Sequence, residues 1–352
     1  MRRVTLLATL VAVTASCTNR PNIEDGFVDA NGTTLYFKTM GSGEPIVVLH
    51  GGPGFDHQQF LPFIWELSSD YKVILYDQRG TGLSSGPVDS VSITIDNFIE
   101  DIEGIRRAFN IERMNLLGHS WGGILAMHYG IRHPDKLKSL ILCSTAASVE
   151  SFDEMREAVT RNRLPEDNEL LESIATSEDF QNDDPQAIEQ FWRVYFKAYF
   201  VDQSLAATMN LTFTDNTIQH SNAVAGYILN SVGAFDLHED LGVIEAPTLV
   251  IHGDSDPMPI EYAERIHESI RSSELVIAEN SGHWLFIDAT EQFRSSVDGS
   301  ETGDPTVNAL ILSAVENNIG TITLNRPEAL NAFNLDLARQ FLAVLAEFDR
   351  DV

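Results

Sequence analysis

Six short apolar runs divide the middle of this chain, and helical patterns lie between them. The runs are residues 45–50 (PIVVLH), 72–76 (KVILY), 114–117 (MNLL), 137–142, 248–251 and 274–277. Most are rich in Val, Ile or Leu and bounded by turn residues, as strands buried on both faces are. Residues 95–109, 122–132 and 260–269 carry helical periodicity. Strands alternating with helices predict an α/β fold with a mostly parallel central sheet covered on both faces. Ligands of such sheets bind beyond the carboxyl ends of the strands. The chemistry is therefore expected just after each run.

Three motifs stand at such places. Gly118-His119-Ser120-Trp121-Gly122 lies between a strand and a helix, which is the strand–turn–helix setting of a nucleophile elbow. A sharp turn there needs small neighbours and lifts the serine hydroxyl above the sheet. A serine is a poor nucleophile near neutral pH and needs a base. His283, in the SGHW stretch after the run 274–277, is the candidate. A base in turn needs a carboxylate to fix its tautomer. Asp256 is the candidate acid, in HGDSDP after the run 248–251, with Asp254 competing. The chain order Ser, Asp, His matches neither the chymotrypsin order nor the subtilisin order. The oxyanion requires two preorganised N–H donors. Gly52, in the glycine-rich HGGPG after the first run, and Trp121, next to the serine, are the candidates. His50 is expected to tie its loop in place.

HGGPG at 50–54, DQRGTGLS at 77–84 and GHSWGG at 118–123 resemble the proline iminopeptidase branch of the α/β-hydrolases. The resemblance spans about residues 25–297. It implies the α/β-hydrolase fold with an inserted helical cap, and a serine hydrolase working through an acyl-enzyme, namely a proline iminopeptidase-like aminopeptidase. Ser120 would be its nucleophile, Asp256 its acid (spaced from the preceding glycine as in the family) and His283 its base. No metal or cofactor is implied, and the partner is a small-molecule or short peptide substrate. Asp77 and Arg79 read as a polar pair that stabilises their turn.

The core then divides into residues 18–145 and 239–297, with the cap at 146–238. The cap is acidic and shows helical patterns at 153–163 and 187–200. Phe191, Trp192, Tyr195, Phe196, Tyr199 and Phe200 recur there at helical spacings. They are expected to pack within the helices and against the core rather than to form a substrate box. The family holds the free α-amine of its substrate with cap carboxylates. Glu189, Asp202, Asp215, Asp236, Glu239 and Asp240 are available for that task. Residues 230–235 (NSVGAF), however, lack the Asn-Glu pair that the family carries there. An esterase, lactonase or amidase on the same machinery stays open, as does a silent binding lipoprotein.

The two ends of the chain read differently. Residues 1–17 begin with Arg2 and Arg3, continue with an apolar stretch and end in small residues before Cys17. This predicts an export signal, and it resembles the lipobox of bacterial lipoproteins, with Cys17 as the lipidated residue. The protein is thus expected to be exported, and membrane-anchored through the lipid or periplasmic. Cys143, the other cysteine, reads as a buried strand residue. Residues 298–305 (DGSETGDP) form a polar linker. Beyond it, residues 319–327 (IGTITLNRP) and 330–332 (LNA) resemble the start of the crotonase family. A hairpin followed by a helix at 335–348 is expected. So short a segment, 306–352, predicts no crotonase activity of its own. The whole chain of 352 residues carries a formal charge of −29, from 52 acidic against 23 basic residues. That charge opposes binding to nucleic acid.

Overall fold

The chain enters its sheet as a hairpin. Strands β1 (Glu24–Ala30) and β2 (Thr33–Met40) pair antiparallel through Ala30 and Thr33. Asn31 and Gly32 make the turn with φ of 47° and 72°, the two-residue turn whose twist matches that of the strands. The computed structural model describes residues 23–299 and, beyond them, strands 311–316 and 319–324. The expected export signal with Cys17, most of the linker 298–305 and the helix expected at 335–348 lie outside the described residues. The apolar runs do not reveal β1, because that strand alternates between exposed and half-buried residues.

Six further strands follow, each on one of the apolar runs. They are β3 (Glu44–Leu49), β4 (Tyr71–Tyr76), β5 (Met114–His119), β6 (Leu137–Cys143), β7 (Thr248–Gly253) and β8 (Ser273–Ala278). The eight strands form one sheet in the order β1-β2-β4-β3-β5-β6-β7-β8. From β4 to β8 every neighbouring pair is parallel, and only the β1 and β2 edge is antiparallel. Successive residues of β3 serve opposite faces, as the period of a strand demands. Val47 and Leu49 join the core that includes Ile99 and Ile102 of α1 (Ile95–Ala108) and Ile124 and Leu125 of α2 (Trp121–Arg132). Ile46 and Val48 join a second core on the other face. Helix α1 shows why it forms: its apolar residues fall three and four apart. Thr94 caps it by accepting from Asn97 N–H, and Arg106 and Arg107 lie in its last turn.

Between β6 and β7 the chain leaves the sheet. It forms α3 (Ser151–Asn162), α4 (Pro165–Ala175), α5 (Glu178–Gln181), α6 (Pro185–Phe196) and α7 (Asp215–Val232). The base of this insertion is closed by a bridge between Ser148 and Asp236. Val149 N–H donates to Phe235 O at 3.0 Å and Leu237 N–H to Ala147 O at 2.8 Å. Back in the core, α8 (Ile260–Ser269) follows β7, while α9 (Leu285–Asp288) and α10 (Thr290–Asp298) follow β8. Phe286 and Phe293 from these last helices meet Phe196 and Phe200 of the insertion in the second core. Near the end of the chain, β9 (Ile311–Glu316) and β10 (Ile319–Leu324) pair antiparallel as a hairpin, as its sequence led one to expect.

Candidate active site

Strand β5 runs straight into helix α2 with Ser120 as the joint. Its backbone has φ 55° and ψ −121°, a conformation that costs a non-glycine residue about 1–3 kcal/mol. Four hydrogen bonds hold it there. Ser120 N–H donates to Cys143 O at 2.9 Å, and Ser120 O accepts from Gly123 N–H, Ile124 N–H and Thr145 Oγ1. The turn also requires glycine at 122, where a Cβ would stand 2.1 Å from Leu49 O. Helix α2 begins at Trp121, so the Trp121 N–H is among the donors that a helix cannot satisfy from within. The Trp121 indole donates to Gln78 Oε1 at 3.1 Å.

His283 lies in the loop after β8, and its Nδ1 is 3.0 Å from both carboxylate oxygens of Asp256. Asp256 is buried. Burial alone would raise its pKa. His283, His252 and the Met258 N–H outweigh that and hold the carboxyl far below the usual range. Asp254, the competing acid, does a different job. It is mostly exposed and braces the loop, accepting from Asn280 N–H at 2.9 Å and Ser281 N–H at 3.2 Å. The two aspartates are thus told apart by what they hold.

The loop bearing His283 is gripped by residues that the motifs did not single out for it. His119, beside the serine in the elbow, donates from Nε2 to His283 O at 2.8 Å. Burial pushes the His119 imidazole down to about 3, so it is a neutral donor at ordinary pH. From the insertion, Tyr199 O accepts the His283 N–H at 2.9 Å. A backbone contact of this kind leaves no mark in the sequence. The position of His119 inside the motif was the available signal.

Gly52, with φ 60°, lies with Ser120 and His283 on the wall of one cavity of about 290 Å³. Phe55 and Trp284 of the core and Trp192, Tyr195, Phe196 and Tyr199 of the insertion supply its aromatic wall. The packing expectation for the six cap aromatics is therefore corrected for these four, which pack and also face the cavity. They do so because α6 runs into a short 3-10 turn at Lys197–Tyr199 directly above the His283 loop. Met155 and Ala225 come from α3 and α7. Among the described residues the wall includes no Asp, Glu, Lys or Arg.

The loops around this cavity are cross-braced. His50 accepts the Gln78 N–H at Nε2, and Gln78 Nε2 donates to His50 O at 2.9 Å, so His50 is the tie expected of it. Asp77 and Arg79 do not pair with each other, which corrects the expectation of a local pair. Arg79 reaches out to Asp101 on α1, its Nε 2.6 Å from Oδ2. Asp77 binds His57 Nδ1 at 2.7 Å and Leu83 N–H at 2.8 Å. The DQRGTGLS turn also docks the insertion. Thr217 of α7 accepts from Gly82 N–H at 2.9 Å and donates to Asp56 Oδ2 at 3.0 Å. Asp56, His57 and Asp77 are the one group of three among the described residues close enough to share a cation. Their oxygens are engaged in the bonds above and in one from Gln58 N–H, which makes the group a brace. Burial and the neighbouring Asp77 raise the Asp56 carboxyl to about 6.

A family model described as the alpha/beta hydrolase fold matches residues 44–290. A proline iminopeptidase from Saccharolobus solfataricus is 30% identical over 283 residues, covering 77% of this chain and 90% of that protein. Among solved structures, an esterase from Rhodococcus sp. ECU1013 superposes with a TM-score of 0.60 at 22% identity, over 79% of this chain and 97% of its own. A proline iminopeptidase from Mycobacterium smegmatis gives 0.58 at 22%, over 78% and 97%. At those identities the structural likeness speaks for the fold alone. The sheet order, the elbow and these matches together place the chain in the α/β-hydrolase fold family, with proline iminopeptidases among its homologues.

Proposed function

We propose that this protein is a serine hydrolase that forms an acyl-enzyme on Ser120 and takes neutral, apolar acyl groups, as a carboxylesterase does. His283 is tied to Asp256 through Nδ1, which leaves Nε2 to accept the Ser120 proton as Oγ attacks the substrate carbonyl carbon. The carbonyl oxygen takes up the negative charge, and the Gly52 and Trp121 N–H groups stabilise it. The tetrahedral intermediate collapses, the bond to the leaving group breaks, and His283 returns the proton to that group. Water then repeats the sequence on the acyl-enzyme, releasing the acid and restoring Ser120.

The observation that carries the substrate class is the cavity wall. An α-ammonium group brought against this aromatic wall would meet ring faces but no carboxylate among the described residues, so its lost hydration is offset only in part. A neutral acyl group of similar shape would gain instead from the apolar contact. The matching experiment compares methyl cyclopentanecarboxylate with proline methyl ester, which share shape and leaving group and differ in the amine. The cyclopentane ester is expected to show a kcat/KM at least about tenfold higher. A clear preference for the prolyl ester sinks this reading. It would favour the aminopeptidase reading, which the homologues support.

Export with lipidation of Cys17 is a second part of the proposal, resting on the sequence before residue 18. Labelled palmitate incorporated by the wild type and not by C17S supports it; equal incorporation, or none, opposes it.

A further inference from the structure

Besides the bond from Ser255 N–H to Ser281 O at 2.9 Å and the pairing of the His283 ring with Asp256, four contacts fix the segment Ser281–His283. Asp254 accepts from the Ser281 N–H, Tyr199 O accepts from the His283 N–H, and His119 donates to His283 O. The fourth is the Gly282 N–H, which donates to Asp288 Oδ2 at 2.8 Å. The fit around Gly282 is tight. A Cβ there would stand 2.2 Å from Tyr199 O and 3.0 Å from Asp288 Oδ2. The segment is therefore pressed between the insertion on one side and the Asp288 carboxylate on the other.

Asp288 differs from the other three grips. It ends α9, with its own N–H bonded to Trp284 O at 2.9 Å, so its side chain reaches back over the loop. Among the described residues it forms no ion pair with Lys, Arg or His. The charged groups that bear on it are both carboxylates: Asp256 from the loop after β7 and Asp202 from the insertion. The Gly282 N–H is the group that favours its ionised form.

We propose that Asp288 is a positioning residue for His283, acting through the Gly282 N–H: ionised, it grips the loop; protonated, it loosens it. The inference rests on the reading of Ser120, His283 and Asp256 as hydrolytic machinery. A charge-assisted hydrogen bond is about twice as strong as a neutral one, so the grip weakens on protonation even where the geometry survives. Burial, reinforced by Asp256 and Asp202 against the Gly282 N–H, raises this carboxyl to about 7. The change therefore falls within the working range of a histidine base. The backbone carbonyl of Tyr199 does not titrate, and the His119 imidazole stays neutral across that range. Desolvation pushes the Asp254 carboxyl up, but the Asn280 and Ser281 N–H groups and the Ser255 hydroxyl together outweigh it and hold it below the usual carboxylate value. Asp288 is thus the grip that changes state near neutral pH.

The test measures labelling of Ser120 by a fluorophosphonate and hydrolysis of p-nitrophenyl butyrate across pH, for wild type, D288N and D288E, with S120A as the control for site. D288N is fixed in the neutral state. The ratio of wild-type to D288N rate is expected to grow from about 1 near pH 5.5 to about 10 near pH 8.5. A ratio that stays constant with pH overturns the inference, because a merely structural loss would be the same at every pH. Should D288N not fold, D288E carries the test. It keeps a titrating carboxyl in an altered place and is expected to shift the acid limb; a D288E profile parallel to the wild type overturns the inference. Absence of labelling at Ser120 in the wild type brings down the hydrolase reading and this inference with it, whereas labelling with a constant ratio brings down the inference alone.

Discussion

The core and the inserted cap approach the same cavity by different means. Core residues are placed by backbone geometry. Ser120 sits in a strained turn held by four hydrogen bonds, and His283 and Asp256 follow directly on strands β8 and β7. Cap residues are placed by packing. Trp192 and Phe196 stack with ring centres 5.4 Å apart, Phe55 meets Trp192 edge-on at 4.9 Å, and Phe196 meets Trp284 at 4.8 Å. Backbone placement resists substitution, and aromatic packing tolerates it within limits of volume. Under the proposed function, the bond-making groups and the substrate-selecting groups therefore belong to separable structural layers. The exception is the Tyr199 carbonyl, where the cap takes hold of the base's own loop.

The most severe way to sharpen this contrast is to remove a core group. Ser120→Ala and Asp256→Asn are each expected to lower kcat/KM for p-nitrophenyl butyrate by at least about 10⁴-fold. Asp254→Asn, two residues away, is expected to leave the rate within about threefold, because it removes a loop brace and touches no reacting atom. Equal losses at 254 and 256 would break the assignment of the acid.

The joint between the layers comes next. Thr217 is buried and serves both Asp56 and Gly82. Thr217→Val keeps the shape and strands both partners, at an expected cost of about 1–3 kcal/mol in urea unfolding. KM should rise with little change in kcat, since the cap loses its anchor while Ser120, His283 and Asp256 keep theirs. A fall in kcat alone would mean that α7 supports the chemistry and not the pocket.

A smaller effect is expected inside the cap. Trp192→Ala opens the aromatic wall without touching the elbow. It should lower kcat/KM for a bulky apolar ester by about tenfold and leave fluorophosphonate labelling of Ser120 nearly unchanged. Loss of labelling would show that the layers are not separable.

How far the sequence spoke follows the same division. The six core strands and helices α1, α2 and α8 were readable because each carries an unbroken apolar run or a clear helical stripe. The placement of Ser120, Asp256 and His283 just after strands β5, β7 and β8 was readable because their motifs follow directly on apolar runs. The β1–β2 hairpin escaped, since its outer strand has no buried face, although Asn31-Gly32 marks its turn. Helix α4 escaped for want of a distinct stripe in an acidic stretch, and helix α7 because it buries few residues along its length. The role of Tyr199 escaped because a carbonyl oxygen is common to every residue. Asp77 and Arg79 were recognised as structural, but their partners, His57 and Asp101, are set by tertiary contacts that spacing does not encode.

The last and smallest effect concerns stability and tests whether Asp288 is held against its own preference. An unfolded aspartate ionises near 3.9, while in the fold this carboxyl is raised to about 7 by burial and by Asp256 and Asp202. Between those values the native state binds the extra proton. The contribution of Asp288 to stability is therefore greatest below the unfolded value, falls as pH rises through the window and levels off above the folded value. Asp288→Asn does not titrate and still offers an oxygen to the Gly282 N–H. It should therefore raise the thermal midpoint by about 2 °C near pH 8, with the gain fading as the pH approaches 4. The same substitution is expected to slow labelling of Ser120 at the higher pH. A variant more stable and less active at pH 8 would mean that the core keeps a strained charge beside its base because the grip on Gly282 needs it. A variant less stable at pH 8 would mean that the ionised carboxylate is welcome where it sits, and that the loop is held by ordinary packing.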